Sequence, residues 1–317
     1  MKKNTFVKKT LITSALCLTG MHIVNKIIFS TATVCDKLVN KQSKTFHWRF
    51  GDVVYTKSGK GSPILLIHHL SPDGSQYEWK KTIPNLEKSH TVYALDLLGC
   101  GKSDKPSLSY TNYMFAQLVT DFIKQIIQEK TTIITSGSSS SIGITSAFMS
   151  KDIADKLIFI NPENSTDVSL MPDKKSKAVK RILELPVLGT FIYNLSTCKR
   201  RLMGLSIAKY FKSAGSVRHT DIQAFYESAH VQGPSARFLK ASIAGHYTNY
   251  NIFPFLNGLK QEIFILYGDD IKEAKEELAF YKSIQPAIKY DMIPNTRFFP
   301  QMETPEILSD KILDFIN

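Results

Sequence analysis

Six short apolar runs recur from residue 63 onward: PILLIH (63–68), TVYALD (91–96), TTIITS (131–136), KLIFI (156–160), EIFILY (262–267) and IKYDMI (288–293). Most are too short for a helix and too continuously apolar for a strand with one wet face, so they predict strands buried on both faces. Helical patterns lie between several of them. In NYMFAQLVTDFIKQIIQ, residues Phe115, Leu118, Val119, Phe122, Ile123, Ile126 and Ile127 share one face. A last helix is predicted with Thr304 as N-cap and Pro305 at its first position, turning Leu308, Ile312, Phe315 and Ile316 inward. Strands alternating with helices predict an α/β fold, a mostly parallel central sheet with helices on both faces. TFHWRFGDVVYTKSGKGS adds two short strands and a Gly-rich turn ahead of it.

Two stretches break this rhythm. Residues 164–250 are helical and basic without strand runs, as a cap inserted over the C-terminal edge of the sheet would be. The N-terminus reads MKKNTFVKK, TLITSALCLTGMHIV and NKIIFSTATV, a basic start followed by an apolar stretch. Its uninterrupted part, Thr10 to Val24, is shorter than the roughly 20 residues of a spanning helix, and an extension to Val34 must accommodate Asn25 and Lys26. No small-x-small cleavage site follows, and Cys17 lacks the preceding small residue of a lipoprotein signal. An uncleaved, membrane-associated segment is expected, with secreted or cytoplasmic placement as the alternatives. The expected organisation is an anchor (1–44), a first core segment (45–163), the cap (164–250) and a second core segment (251–317).

Charge distribution supports the membrane reading. Of the net +12, residues 1–50 hold nine Lys and Arg against one Asp, and residues 164–250 hold thirteen against five acids. No aromatic-basic interleaving accompanies these patches, so nucleic acid is not the expected partner. An anionic membrane surface is. The four scattered cysteines have neither the spacing of a disulfide framework nor that of a zinc site, and neither metal nor cofactor is expected.

In order along the chain, PILLIHHL, YEWKKTIPNLEKSHTVYALDLLGCGKSDKP, GSSSS, LIFINPE, IFILYGDD and MIPNTRFFPQMETPE resemble the cap-bearing branch of the α/β-hydrolase fold family. The resemblance covers the core well and the cap poorly. It implies a nucleophile on a strained strand-to-helix turn, normally G-x-S-x-G. That motif aligns Ser139 with the nucleophile and puts Ser141 in place of the second glycine. It implies oxyanion donors at the backbone N–H of Ser140 and Leu70, although the usual His-Gly pair is here His68-His69. The acid would follow the EIFILY strand; its usual position is Ile271, so Asp270, one residue early, is the candidate, with Glu163 as a substitute. The general base falls on Phe298, which cannot accept a proton from a serine hydroxyl. His219, His230 and His246 lie in the cap or its return as alternative bases.

Two functions therefore stand open. One is a serine hydrolase of an ester or similar acyl bond, weak or inactive because of Phe298. The other is a non-catalytic protein at the membrane, binding a small acyl or apolar ligand or acting as a scaffold. A serine at the turn would exclude the dehalogenase and epoxide-hydrolase chemistries of this branch, which need an aspartate nucleophile.

Overall fold

The computed structural model describes residues 2–40, 42–163 and 169–317, with side chains described from residue 9 onward. Its strands are β1 (Lys44–Trp48), β2 (Gly51–Ser58), β3 (Pro63–Ile67), β4 (Thr91–Leu95), β5 (Thr131–Ser136), β6 (Ala154–Ile160), β7 (Glu262–Gly268) and β8 (Lys289–Ile293). They form one sheet in the order β1-β2-β4-β3-β5-β6-β7-β8. β1 and β2 pair antiparallel, β2 joins β4 antiparallel, and every later pairing is parallel. The central strands β3 and β5 are buried along their whole length, β3 as an unbroken apolar run and β5 with its threonines and serine enclosed beside Ile133 and Ile134.

The helices that matter below are α1 (Lys2–Ala32), α2 (Asn112–Phe122), α3 (Ser139–Met149), α4 (Lys174–Glu184), α5 (Leu188–Ser196), α6 (Lys199–Leu205), α7 (His219–His230), α8 (Arg237–Ala244), α9 (Ala274–Ile284) and α10 (Pro305–Ile316). The two sheet faces bury separate apolar clusters. On one side Phe115, Leu118, Val119 and Phe122 of α2 pack with Ile142 and Ile144 of α3. On the other Leu308 and Ile312 of α10 pack on Ile64, Leu66 and Ile134. Thr304 precedes Pro305 as expected, but its buried hydroxyl makes no capping bond. Helices α4 to α8 stand between β6 and β7 in the chain, and the start assigned to the cap, at residue 164, lies outside the described residues. The four cysteines are all free thiols.

The GCGKSDK segment is held by buried charge. Asp96, at the end of β4, accepts from the backbone N–H of Gln76 at 2.7 Å and of Lys102 at 2.9 Å. The buried Lys105 ammonium donates to the carbonyls of Gly99 and Gly101, each at 3.1 Å. Gly101 sits at φ +48°, where a Cβ would lie 2.2 Å from Asp96 Cγ. This ties the loop after β4 to the turn after β3, fixing the floor on which the site is built. Asp96→Ala leaves two buried N–H groups without acceptors. It should lower unfolding free energy by roughly 2–4 kcal/mol in a urea titration, whereas Lys102→Ala, which keeps its backbone N–H, should cost well under half of that.

Candidate functional site

The turn from β5 into α3 carries the chemistry expected of this sheet. The amide of Gly137 donates to Ile160 O at 2.9 Å, extending the β5–β6 ladder one step past Ser136. The chain then reverses at Gly137 itself, with φ +56°, and Ser138 and Ser139 already have or begin helical geometry. The strained apex is thus Gly137, two residues earlier than the Ser139 assignment. A side chain built on Gly137 would point at the expected general-base position: its Cβ would lie 2.7 Å from Phe298 Cζ and 2.4 Å from His69 Nδ1.

Ser139 occupies a different environment. It is fully buried, and its hydroxyl donates to His68 O at 2.6 Å. It clamps the first turn of α3 to the end of β3. Ser140 likewise faces inward, accepting from Thr135 Oγ1 at 3.0 Å, and its amide donates to Gly137 O. The Ser140 amide, the expected oxyanion donor, is thus engaged within the turn, and the N–H of Ser138 points at His69 Nδ1 at 3.4 Å. Leu70 lines the cavity beside it, as do Ser138, Ser141 and Glu163.

His69 is the residue whose role the sequence least suggested. Where the family pattern has glycine, its ring fills the space in front of Gly137, 3.1 Å from Ser138 Oγ. It meets Phe298 edge-on at 5.0 Å between centroids, and Tyr210 and Phe299 at slightly longer range. Burial, and next the neighbouring His68, push its pKa down to about 3, so it is neutral near pH 7. His68 is structural: Nδ1 meets His69 O at 2.8 Å, and Nε2 accepts from Leu97 N–H at 3.0 Å. His230 is equally committed, with Nδ1 2.7 Å from Tyr226 O and Nε2 3.4 Å from Thr197 Oγ1. His246 lies beside Asn249 and His219 on the exposed start of α7, so the imidazole at the turn is His69 rather than one from the cap.

Asp270 is engaged by Arg297 at 2.6 Å. The same guanidinium donates to the carbonyls of Ile207 and Ala208, binding the cap to the β8 loop. Phe298 N–H donates to Tyr210 O at 3.0 Å and completes this seam. Behind the turn, Gln301 Nε2 donates to Ser136 Oγ at 3.0 Å and to Glu78 Oε1 at 3.3 Å, and Glu78 accepts from His69 N–H at 3.1 Å. Burial pushes the Glu78 carboxyl up to about 8. Among the described residues, no cluster of three or more His, Cys, Asp or Glu is placed to hold a metal.

A family model described as the alpha/beta hydrolase fold matches residues 63–305. Among curated proteins, a 2-hydroxy-6-oxo-6-(2'-aminophenyl)hexa-2,4-dienoic acid hydrolase of Metapseudomonas resinovorans is 30% identical over 108 residues, 33% of this chain and 37% of that protein. Epoxide hydrolase 3 of Xenopus tropicalis is 22% identical over 278 residues, 83% of this chain and 74% of that protein. The chain thus spans little more than a third of the length of the first of these relatives. The crystal structure of a membrane phospholipase A, described as a bacterial virulence factor, covers 100% of this chain and 98% of its own, with a TM-score of 0.68 at 18% identity. That last likeness is one of fold.

The Glu78 network makes a signed prediction. Its folded pKa lies above the ordinary carboxyl value of 4.5, so protonated Glu78 stabilises the fold. That contribution is complete below about pH 4.5 and is lost as pH rises through about 8. The buried imidazoles have depressed values, His68 and His230 to about 4 and His69 to about 3. They withdraw stability only as pH falls below 6.5. Between pH 6.5 and 8 stability should therefore decline in the native chain, and Glu78→Gln, which keeps the acceptor, should flatten that decline in denaturant midpoints.

Proposed function

The chain belongs to the α/β-hydrolase fold family, and from that premise we propose that it is a membrane-anchored member without serine-hydrolase turnover, acting as a binding or scaffolding protein. The observation that carries this reading is the turn: glycine at the strained apex, with His69 and Phe298 filling the space a nucleophile would use. A missing nucleophile removes covalent catalysis, and a missing base would disable a serine even if one stood there. Loss of either a triad serine or histidine costs about 10⁶ in turnover. The earlier exclusion of dehalogenase and epoxide-hydrolase chemistry rested on a serine at the apex. With glycine there, the aspartate-nucleophile chemistry is missing its nucleophile as well.

The cavity beside Ser138 measures about 170 Å³, below the roughly 300–1,000 Å³ of ordinary small-molecule sites. This favours a short acyl or apolar fragment as the ligand, held under a cap fastened by Arg297 and Tyr210. Helix α1 supplies the anchor. Its segment Lys9–Ala32 is long and apolar enough to cross a bilayer. Thr13 and Thr19 return their hydroxyls to the carbonyls of Lys9 and Ala15, hiding polar groups as a lipid-facing helix needs.

A second reading has one observation in its favour, the Ser138–His69 contact at 3.1 Å. A serine beside an imidazole is a nucleophile-base pair in outline, but an imidazole with a pKa near 3 is a poor proton acceptor. Fluorophosphonate labelling separates the two. The native chain should not react. His69→Gly, Gly137→Ser, Ile271→Asp and Phe298→His together should produce labelling at position 137. Labelling of the native chain at Ser138 would return the hydrolase reading. The anchor is tested by extraction: the native chain should leave membranes only with detergent, and release by high salt alone would make α1 a surface helix.

A further inference from the structure

Helix α1 divides into two parts at Asn25. Before it, Leu11, Ile12, Leu16, Leu18, Ile23 and Val24 are exposed large apolar residues on a helix free of the domain. From Asn25 onward the helix docks on the cap. Asn25 is 5% exposed; its amide nitrogen donates to Val187 O at 3.1 Å, and its oxygen accepts from Asn194 Nδ2 at 2.8 Å. Phe29 packs against His230 at 5.4 Å, and Ala32 is fully buried. A buried asparagine bonded on both sides fixes where the helix leaves the protein.

The corner of the cap at that exit is apolar and uncovered. Val187 is flanked by Leu185, 45% exposed, and Leu188, 38% exposed, with Ile182 at 46% one turn earlier on α4. Lys177 and Arg181, on the same helix, make no ion pair among the described residues. Large apolar residues bordered by long cationic side chains form the pattern of a segment lying in a bilayer interface, where the cations snorkel to the headgroups.

Length decides the occupant. From Lys9 to Val24 the free helix rises about 24 Å at 1.5 Å per residue, against a hydrocarbon core of about 30 Å. The apolar remainder of α1 runs alongside the domain, so the free part alone falls about 6 Å short. We infer that the α4–α5 corner, Ile182, Leu185 and Leu188, is a collar that sinks into the same leaflet that α1 enters, holding the cap against the bilayer. The collar supplies the missing depth and, with the docked part of α1, holds the domain in one orientation to the bilayer. This rests on the proposed anchoring of α1, and the test keeps the two apart.

The full chain is reconstituted in vesicles of phosphatidylcholine and phosphatidylglycerol, with or without bromine on the acyl chains. Tryptophan is placed singly by Ile12→Trp, Leu185→Trp, Leu188→Trp and Tyr290→Trp; the two native tryptophans, Trp48 and Trp79, are buried in the core and are subtracted with the unsubstituted chain. Bromine should quench positions 185 and 188 to an extent comparable with position 12, and leave position 290 on β8 unchanged. Quenching at 12 without quenching at 185 and 188 overturns the collar and leaves the anchor standing. No quenching at position 12 overturns the anchor and the collar with it. Shielding of 188 that depends on the protein-to-lipid ratio and not on bromine means a second copy covers the corner, which also overturns the collar.

Discussion

The close passage of the β3 loop over the β5–α3 turn is the contact on which the site depends. Gly137 reverses the chain at φ +56° while its amide completes the ladder to β6. With no Cβ there, the imidazole of His69 lies within 2.4 Å of where one would stand. Any larger residue at 137 forces the ring away, and with the ring goes its edge-on contact with Phe298. The two departures from the family pattern that flank this turn, His69 for glycine and Phe298 for histidine, therefore fit one another.

Around that contact, polar groups are engaged within the fold. Ser139 and Ser140 bond inward to β3 and β5, and Asp270 holds Arg297 against the cap. Glu78 is buried behind the turn with Gln301 and the His69 amide. Such a network is costly to bury and stable only when its members are satisfied. It fastens the turn to the loops after β3 and β8, and Phe298 and Tyr210 pack beside it. The rings of His69, Tyr210 and Phe298 pack against one another at this point.

The N-terminal helix and the helices inserted between β6 and β7 pack as one continuous structure. Glu227 of α7 accepts from the amides of Lys37 and Leu38, just past the end of α1, while Asn25 and Phe29 bind the helix itself. The cap is thus the part of the domain that the N-terminal helix grips. The inserted helices are thus held by α1 on one side and by Arg297 on another.

The fold was legible because buried parallel strands leave an unmistakable local pattern. The run at 131–136 corresponds residue for residue to β5, and PILLIH and TVYALD each overrun their strands by one residue. The absence of a histidine at 298 was equally plain, since an aromatic residue is visible without any geometry. The position of the turn was not. Four consecutive serines offer several alignments to a motif that needs only one, and the G-x-S-x-G spacing selected Ser139. What places the apex is the end of the β5–β6 ladder, a hydrogen bond between residues 23 apart in sequence, from Gly137 N–H to Ile160 O. The role of His69 was hidden for the same reason, because it depends on what lies across the turn rather than beside it in the chain. The sequence by itself determined the layers, the strand order's local ingredients, the apolar N-terminal helix and the phenylalanine at position 298. Tertiary structure alone decided which residue reverses the chain after β5, which imidazole lies against that turn and where the N-terminal helix docks, since each of these is set by pairings between distant segments that local pattern does not encode.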